Sequence, residues 1–527
     1  MSGTGDQDGQ ARIAAQLAGP FAAIPDLIRL QAELRPDHPA LIQDDLRLSY
    51  GELDRRMDRI AAAIQRHGVE PGDTVAICAA TTIDHAVVLL GALRAGAAVA
   101  LLPPAASPPA LAGMLRDSGA RLCFVEEAIA ASVAGADHVP EILQIRLGGG
   151  ALEEWLDGAA LCPRPVQITP DMVFNIIYSS GTTGVPKGIV QSHAMRFLYV
   201  NQAPLLGFGP EATSLVSTPL CSNTTLTTFL PSIALGATTV LMAKFETGAF
   251  LRLAERHRVT HAMLVPVQYR RLLSDPSFDS HDLSAFRLKF CTSAPFPAAL
   301  KAEVLARWPG GLIEYFGMTE GGGSCVLFAH EHPDKLHTVG RPIPGHDIRI
   351  IDEDGREAEA GEIGEIVGHS GAIMTEYHNR PTETAATFWT APDGRRFVRT
   401  GDIGRFDGDG FLELIDRKKD LIISGGFNVY PSDLETILLQ HPEVVEAAVV
   451  GIPSDQWGET PVAFVVARTP DGAAIRHWAN ARLGKTQRLA DVRVIADLPR
   501  NPIGKVLKRE LRDAYSAPRD PAVEGAQ

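Results

Sequence analysis

The stretch Tyr178–Gly188 reads YSSGTTGVPKG and is rich in hydroxyl groups and glycine. It follows the apolar run 172–177, MVFNII, which is typical of a buried strand. A glycine-rich loop after such a strand presents backbone N–H groups that can bind phosphate. Serine and threonine hydroxyls add further donors, and Lys187 adds a positive charge. The stretch therefore predicts a phosphate-binding loop rather than a flexible Ser/Gly turn.

The loop differs from the P-loop of nucleotide hydrolases, whose pattern is GxxxxGK[ST]. Lys187 is followed by Gly188, and the glycine spacing does not fit that pattern. A second stretch near Gly484, LGKTQ, has the GK[ST] ending, but Ala479 stands where the first glycine should be. The chain also has no GxSxG motif, so the nucleophile elbow of a hydrolase is not predicted.

Composition limits the class of protein. The 527 residues suffice for several domains and a large core. A formal net charge of -14 disfavours nucleic acid or an anionic membrane as a partner. Six scattered cysteines without a CxxC pair predict reduced, partly buried thiols in a cytoplasmic protein. The polar, acidic first ten residues are not expected to be a signal peptide, and four prolines interrupt the uncharged run 95–115, so we expect no stable membrane insertion.

The first 347 residues alternate short apolar runs with helical patterns. Residues before about 15 are expected to form a loose tail. A capping box of Ser49 and Glu52 then starts a helix with one apolar face, and further helices are predicted over 85–95 and 109–118. Strands that alternate with helices predict a mostly parallel sheet covered on both faces.

The pattern changes after Asp347. Residues 347–370 and 397–415 read as short alternating strands with Asp-Gly turns, which predicts antiparallel hairpins or a small barrel. The charged stretch 416–420, DRKKD, follows. Beyond it lies a compact segment with its own alternation of helices and strands, so we expect a domain boundary there.

The loop resembles the signature of the adenylate-forming superfamily, which includes acyl- and aryl-CoA synthetases, luciferases and peptide-synthetase adenylation domains. Four further segments resemble the motifs of this family in its order: TSAP (292–295), FGMTE (316–320), the stretch from RTGD to PSDLE (399–435) and NPIGKVLKREL (501–511). The resemblance covers nearly the whole chain.

The resemblance implies an α/β fold class. We expect a large N-terminal adenylation domain over 16–415, built of parallel-sheet αβαβα layers with a β-rich, barrel-like subdomain at about 340–415. A hinge at 416–419 and a small mobile α+β C-terminal domain over 420–520 are expected to follow.

Members of this family join a carboxylate to AMP with loss of pyrophosphate and then pass the acyl group to a thiol, usually that of coenzyme A. The resemblance therefore implies an AMP-forming acid–thiol ligase that uses ATP, Mg²⁺ and coenzyme A. Because an anionic carboxylate must approach an anionic α-phosphorus, we expect catalysis by positioning and charge neutralisation.

The resemblance also assigns roles to individual residues. Lys505 would bridge the attacking carboxylate and the α-phosphate, Thr183 would act in catalysis within the phosphate loop, and Glu320 would hold Mg²⁺. Phe316 would stack on adenine, and Asp402 would accept the ribose hydroxyls. The expected nucleotide-binding residues are Ser179, Ser180, Gly181, Thr182, Thr183, Gly184, Lys187, Ser293, Ala294, Pro295, Tyr315, Phe316, Gly317, Thr319, Asp402, Arg417 and Lys505.

The second half-reaction and the acid involve other positions. Lys419 matches the hinge of the family, and the expected contacts of coenzyme A are Gly425, Gly426, Trp457 and Arg488. The expected acyl pocket contains Ser222, Asn223, Thr224, Gly322 and Gly323. Ser222 replaces an imidazole that is common in relatives, and the glycines 321–323 are expected to leave open space, so a roomy and partly polar pocket is predicted.

Three functions stay open at this point. The first is a cytoplasmic acid–CoA ligase for an aromatic or medium-chain acid. The second is a standalone adenylation enzyme that loads the phosphopantetheine of a carrier protein, and the third is a luciferase-like oxygenase. The expected partners are a small carboxylic acid and coenzyme A, without nucleic acid, and a homodimer is left open.

Overall fold

The computed structural model describes residues 3–134, 140–179, 186–424, 427–454, 456–484, 487–501 and 504–516. The chain divides into two compact units. The first unit comprises Met1–Ile348 and Val367–Arg399, and the second comprises Arg349–Ile366 and Thr400–Gln527.

The helices of the described chain are α1 (Gly3–Ala18), α2 (Ile24–Leu34), α3 (Tyr50–Arg66), α4 (Ile83–Arg94), α5 (Pro108–Ser118), α6 (Glu127–Ala134), α7 (Ala151–Leu156), α8 (His193–Gln202), α9 (Asn223–Ala234), α10 (Thr247–Arg256), α11 (Pro266–Leu273), α12 (Ala298–Arg307), α13 (Pro381–Ala386), α14 (Pro431–Leu439), α15 (Gly472–Asn480) and α16 (Lys508–Ser516).

The strands are β1 (Pro39–Gln43), β2 (Leu46–Ser49), β3 (Thr74–Cys78), β4 (Ala98–Leu101), β5 (Leu122–Glu126), β6 (Leu143–Leu147), β7 (Val173–Ser179), β8 (Lys187–Ser192), β9 (Thr213–Val216), β10 (Thr238–Leu241), β11 (His261–Leu264), β12 (Leu288–Cys291), β13 (Gly311–Phe316), β14 (Cys325–Phe328), β15 (Arg341–Pro342), β16 (Asp347–Ile351), β17 (Gly364–His369), β18 (Glu376–Tyr377), β19 (Phe388–Thr390), β20 (Arg396–Phe406), β21 (Leu412–Arg417), β22 (Ile422–Ser424), β23 (Phe427–Val429), β24 (Val444–Ser454), β25 (Gly458–Ala467) and β26 (Asp491–Val494).

Two largely parallel sheets form the centre of the first unit. One sheet has the strand order β15-β14-β13-β12-β11-β9-β10-β1-β2, and the other has the order β18-β8-β7-β4-β3-β5-β6. The strands β4, β10 and β11 are buried along their whole length. Such burial is expected when helices cover both faces of a parallel sheet. The predicted α/β fold class is confirmed.

Helix α3 shows how the sequence specifies this packing. Ser49 Oγ accepts the backbone N–H of Glu52, and the Glu52 carboxylate accepts the N–H of Ser49, so the predicted capping box is present. The apolar face of α3 packs on α4, where a Cβ at Gly91 would lie 2.6 Å from Ile60 Cγ2. Gly91 is therefore required for the close approach of these two helices.

The N-terminal segment corrects one prediction. Residues before 15 were expected to form a loose tail, but α1 is helical over Gly3–Ala18. Ile13 and Leu17 pack against the main core of the first unit, and Arg12 pairs with Glu33 at 2.9 Å. Two apolar residues spaced by four lie on one helix face, and their contact with the core stabilises a helix that polar composition alone does not indicate.

The predicted antiparallel hairpins after Asp347 are present. Strand β19 pairs with the first part of β20 in the first unit, and the last part of β20 pairs with β21 in the second. The second unit also contains a sheet of order β23-β22-β25-β24, with β26 parallel to β25. Apolar residues of α14, α15 and these strands form its core.

The predicted hinge, 416–419, lies inside the second unit, which begins at Thr400 on this side of the chain. The domain limits 16–415 and 420–520 therefore stay a prediction. Within the described ranges, every helix is too short or too polar to cross a bilayer.

Candidate active site

Strand pairing fixes both ends of the predicted phosphate loop. Ser179 ends β7, Lys187 begins β8, and their Cα atoms are partners in the antiparallel pair. The Lys187 ammonium lies 5.0 Å from the centroid of the Tyr377 ring, a cation–π distance. The predicted loop residues Ser180, Gly181, Thr182, Thr183 and Gly184 lie outside the described residues, as do Gly425 and Gly426.

Tyr377 also holds Glu320, the predicted metal ligand. Its hydroxyl donates to Glu320 Oε1 at 2.7 Å, and the Met374 N–H donates to the Glu320 carbonyl at 2.8 Å. Burial and the nearby Glu320 carboxylate raise the pKa of Tyr377, so the phenol remains a donor. Oε2 accepts no hydrogen bond from the described residues. A carboxylate oxygen fits the hard-oxygen preference of Mg²⁺.

Sheet order explains why distant predicted segments meet. Strands β9, β11, β12 and β13 are adjacent and parallel. Parallel strands end at the same edge of a sheet, which is where ligands bind in such folds. The segments that leave this edge contain the predicted acyl residues 222–224, the segment 292–295 and the segment 317–320.

The adenine-side segment 292–295 carries one strained residue. Ser293 has a φ of +80°, a left-handed conformation that non-glycine residues rarely adopt. Its Oγ lies 2.5 Å from Thr224 Oγ1, so this segment and the predicted acyl pocket are in direct contact. Ala294 is half-buried and Pro295 is exposed.

The end of β13 places the aromatic and phosphate-side residues. Phe316 is buried, and Tyr315 is half-buried beside Phe290, with ring centroids 6.2 Å apart. A Cβ at Gly317 would lie 2.8 Å from Ser324 Oγ. The Thr319 carbonyl accepts a 2.6 Å hydrogen bond from Gln191 Nε2.

The predicted acyl-pocket residues at the start of α9, which form the acyl wall, are Ser222, Asn223 and Thr224. The side chain of each one makes a hydrogen bond. Ser222 Oγ caps the helix by accepting the Thr224 N–H at 3.2 Å. Asn223 Oδ1 accepts from Arg196 at 2.8 Å, and Thr224 contacts Ser293 as described. Neutral groups and one buried guanidinium therefore fix this wall.

The glycines at 321–323 correct another prediction. They were expected to leave open space, but a Cβ at Gly322 would lie 2.6 Å from Val398 Cβ, and one at Gly323 would lie 2.2 Å from Ile348 Cδ1. A Cβ at Gly321 would lie 2.0 Å from the Ala372 carbonyl oxygen. These glycines allow close packing of the chain, so the expectation of open space is wrong. Open space therefore gives no support for assigning Gly322 and Gly323 to the acyl pocket.

The second unit brings together Asp402, Arg417 and Lys505. Asp402 and Arg417 face each other across β20 and β21, with Arg417 Nε 3.0 Å from Asp402 Oδ1. Burial raises the pKa of Asp402, and Arg417 and Lys505 oppose that shift. Burial together with Arg417 and Lys419 lowers the pKa of Lys505 to about 8, and Asp402 acts in the opposite direction.

The Lys505 loop is itself fixed by hydrogen bonds. The Lys505 N–H donates to Asn501 Oδ1 at 2.9 Å, and the Asn501 N–H donates to the Lys505 carbonyl at 3.0 Å. Arg500 donates to the Gly504 carbonyl at 2.7 Å and to Glu446 at 2.6 Å. The ammonium is thus carried by a turn anchored on β24.

The other predicted residues of the second unit are spread out. Lys419 lies in the 3₁₀ turn Lys418–Asp420, and burial and Arg417 lower its pKa. Trp457 is 44% exposed next to β25, and Arg488 is exposed before β26. Within the described ranges, no hydrogen bond or ring contact joins Trp457 to Arg488.

Sequence reasoning missed Tyr377, Gln191 and Arg196. Tyr377 contacts Lys187 and Glu320. Gln191 donates a hydrogen bond to Thr319, and Arg196 donates one to Asn223. The available signal was an arginine inside the apolar helix run HAMRFLYV at 193–200. A charge at a core position indicates a hydrogen-bonding partner that the sequence does not identify.

Comparison with known proteins identifies the family of the chain. The chain matches the AMP-binding enzyme family over residues 28–378 and the AMP-binding enzyme C-terminal domain over 433–505. It is 32% identical to the fatty acid–[acyl-carrier-protein] ligase ScoC of Streptomyces coeruleorubidus, covering 92% of this chain and 95% of that one. It is 33% identical to 4-coumarate–CoA ligase 5 of Oryza sativa subsp. japonica, covering 94% and 96%.

A solved structure gives the same result. ATP-bound MatB from Rhodopseudomonas palustris superposes with a TM-score of 0.83 at 29% identity, covering 94% of this chain and 99% of that one. The predicted resemblance is confirmed: the chain belongs to the AMP-binding enzyme family, whose members include acyl- and aryl-CoA synthetases.

Proposed function

We propose that this chain activates a carboxylic acid with ATP to give an acyl-adenylate and pyrophosphate, and then transfers the acyl group to coenzyme A. The products are acyl-CoA and AMP, so the enzyme is an AMP-forming acid–CoA ligase. Its relatives include a ligase for an aromatic acid and one for fatty acids. An aromatic or medium-chain acid is the substrate we propose here.

One observation carries this proposal: Lys505 lies beside Asp402 and Arg417 although it is far from both in sequence. A half-buried lysine next to a carboxylate–guanidinium pair can screen the repulsion between the acid and the α-phosphate. Arg417 holds one oxygen of Asp402 at 3.0 Å, which fixes the carboxylate for adjacent ribose hydroxyls.

The first unit supplies the phosphate and metal groups in this proposal. Glu320, oriented by Tyr377, would hold Mg²⁺, and the bound cation would neutralise phosphate charge. Lys187 and Ser179 contribute to binding of the departing pyrophosphate, together with Ser180–Gly184 of the loop. Thr319 faces the α-phosphate, with its main chain positioned by Gln191. Phe316, Tyr315 and residues 292–295 bind adenine.

The thiol half-reaction involves the second unit. We assign coenzyme A contacts to Gly425, Gly426, Trp457 and Arg488, and we assign the hinge between half-reactions to Lys419. The 44% exposed indole of Trp457 leaves a ring face that a ligand can cover. A cytoplasmic location is part of this proposal.

One relative favours a second candidate function. ScoC is a ligase for an acyl-carrier protein and is 32% identical to this chain. The acceptor thiol could thus be the phosphopantetheine of a carrier protein instead of free coenzyme A. A luciferase-like oxygenase would instead consume oxygen after adenylation.

The test is pyrophosphate release over a panel of aromatic and medium-chain acids, with and without coenzyme A, with mass detection of the thioester. We expect acid-dependent pyrophosphate release, and acyl-CoA and AMP when coenzyme A is present. Adenylate without thioester on free coenzyme A would favour the carrier-protein ligase. No acid-dependent pyrophosphate with any acid would contradict the proposal.

A further inference from the structure

Arg196 is a buried cation whose partners are neutral. It is fully buried, and each of its three guanidinium nitrogens donates to an amide oxygen. Nε donates to Asn175 at 2.9 Å, one terminal nitrogen donates to Asn223 at 2.8 Å, and the other donates to Gln191. No carboxylate is among its partners in the described chain. Burying a charge is costly, and the three hydrogen bonds to amide oxygens offset part of that cost.

A guanidinium can only donate hydrogen bonds, and this fixes the polarity of its amide partners. The side-chain oxygen of Gln191 faces Arg196 and also accepts from Asn175 at 3.0 Å, so its NH₂ group points away. That NH₂ group donates to the Thr319 carbonyl at 2.6 Å. By the same reasoning, Asn223 turns its oxygen to Arg196 and directs its NH₂ group away from the guanidinium.

The Asn223 amide lies between two predicted parts of the site. Arg196 and Gln191 connect it to Thr319 on the phosphate side. The next residue, Thr224, contacts Ser293 on the adenine side. Asn223 itself is half-buried, in contrast to fully buried Arg196, and its NH₂ group donates to no acceptor in the described residues. The donor end therefore faces the accessible side of this wall.

We propose that Arg196 fixes Asn223 as a hydrogen-bond donor toward the bound acid, so that the ligase prefers acids that carry an accepting oxygen over pure hydrocarbon acids. This inference rests on the proposed function. Arg196 is a positioning residue here, because it acts through Asn223, and Asn223 is the specificity-determining residue. A buried donor left unpaired by a hydrocarbon acid discriminates against that acid.

The experiment compares matched acids. The first series is octanoic acid and octanoic acids with one keto oxygen at successive carbons, and the second is benzoic acid and its three methoxy derivatives. These oxygens accept but do not donate. We expect at least one oxygenated acid to exceed its parent in kcat/KM for pyrophosphate release by about tenfold, the scale of one hydrogen bond.

Two variants separate recognition from structure. Asn223→Asp keeps an oxygen for Arg196, and an acid is favourable in the first turn of a helix, so the melting temperature should not fall. It replaces the donor with an acceptor, so the preference for the oxygenated acid should disappear. Asn223→Leu should abolish the preference as well, with a lower melting temperature, while the parent acid serves as the internal control.

Three outcomes have distinct meanings. Equal kcat/KM for all oxygenated and parent acids in the wild type would overturn the inference but leave the proposed function intact. A preference that persists in Asn223→Asp would also overturn it. Absence of pyrophosphate release with every acid would instead contradict the proposed function, on which the inference depends.

Discussion

The site residues of the first unit are held by neutral groups and one cation, whereas those of the second unit are held by opposite charges. In the first unit, Glu320 is oriented by a phenol and Asn223 by an amide-lined guanidinium. In the second unit, Asp402 is paired with Arg417, and Lys505 lies among both signs of charge. Such charge clusters respond to pH and salt, whereas neutral hydrogen bonds do so much less.

We infer that the two units contribute to catalysis in different ways. A site that positions a nucleotide and an acid gains from a rigid hydrogen-bonded frame. A lysine that screens two anions must carry a charge that is available to them, and Lys505 lies in a half-buried cluster that contains charges of both signs.

Removing the charge of Lys505 should have the largest effect. We expect Lys505→Ala to lower the rate of acyl-adenylate formation by about 10²–10³-fold, the usual loss for one group that stabilises transition-state charge. Thioester formation from supplied acyl-adenylate should be largely spared. The two half-reactions are measured separately, with exposed Lys244→Ala as the matched control. Equal losses in both half-reactions would reject the role.

The pKa of Lys505 predicts how adenylation depends on pH. Because burial lowers this pKa to about 8, the protonated and active form is lost as pH rises through that value. We expect kcat/KM for adenylation to fall by about tenfold per pH unit above it. The pH profile of Lys505→Arg should extend to higher pH, since arginine stays protonated. A wild-type profile that remains flat well above that pKa would contradict this assignment.

A single substitution at Gln191 removes three hydrogen bonds from the buried network of the first unit. Replacing it with leucine removes the bond to the Thr319 carbonyl and leaves donors of Arg196 and Asn175 unpaired in the core. We expect Gln191→Leu to lower the free energy of unfolding by about 2–4 kcal/mol. The loss should be the same at low and high salt, because the bonds it removes are neutral or shielded from solvent.

A matched control is Gln202, which ends helix α8, the element after β8, and is exposed. Gln202→Leu should change the free energy of unfolding by less than about 0.5 kcal/mol. Equal effects of the two glutamine substitutions in denaturant titrations would show that the buried network does not stabilise the first unit.

The smallest predicted effect concerns Ser293. Ser293→Ala keeps the φ of +80° but loses the hydroxyl contact with Thr224, so we expect a loss of about 1 kcal/mol in the free energy of unfolding. Ser293→Gly loses the same contact but relieves the backbone strain, so its loss should be smaller. Thermal unfolding of both variants measures which one is more stable. A glycine variant less stable than the alanine variant would show that the backbone at Ser293 is not strained.

Local signals in the sequence were sufficient for much of the fold. The capping box of Ser49 and Glu52 and the apolar face of α3 specify one helix by short-range contacts. The helical N-terminus was missed because its stability comes from Ile13 and Leu17 packing on a core formed by residues far along the chain. Polar composition does not reveal such a contact.

The candidate site divides in the same way. Motifs identified Asp402, Arg417 and Lys505, and the structure brings these three together. The network of Arg196 was not predictable, because its partners come from β7, β8 and α9. The glycines at 321–323 were misread because close packing and open space favour the same residue in a sequence.

The most direct test of the account is a single-turnover measurement of the wild-type enzyme with ATP and a preferred acid but without coenzyme A. The account predicts a burst of pyrophosphate that approaches one equivalent per active site, with acyl-adenylate retained, followed by turnover to AMP when coenzyme A is added. Release of phosphate, or pyrophosphate formation that does not depend on the acid, would contradict it.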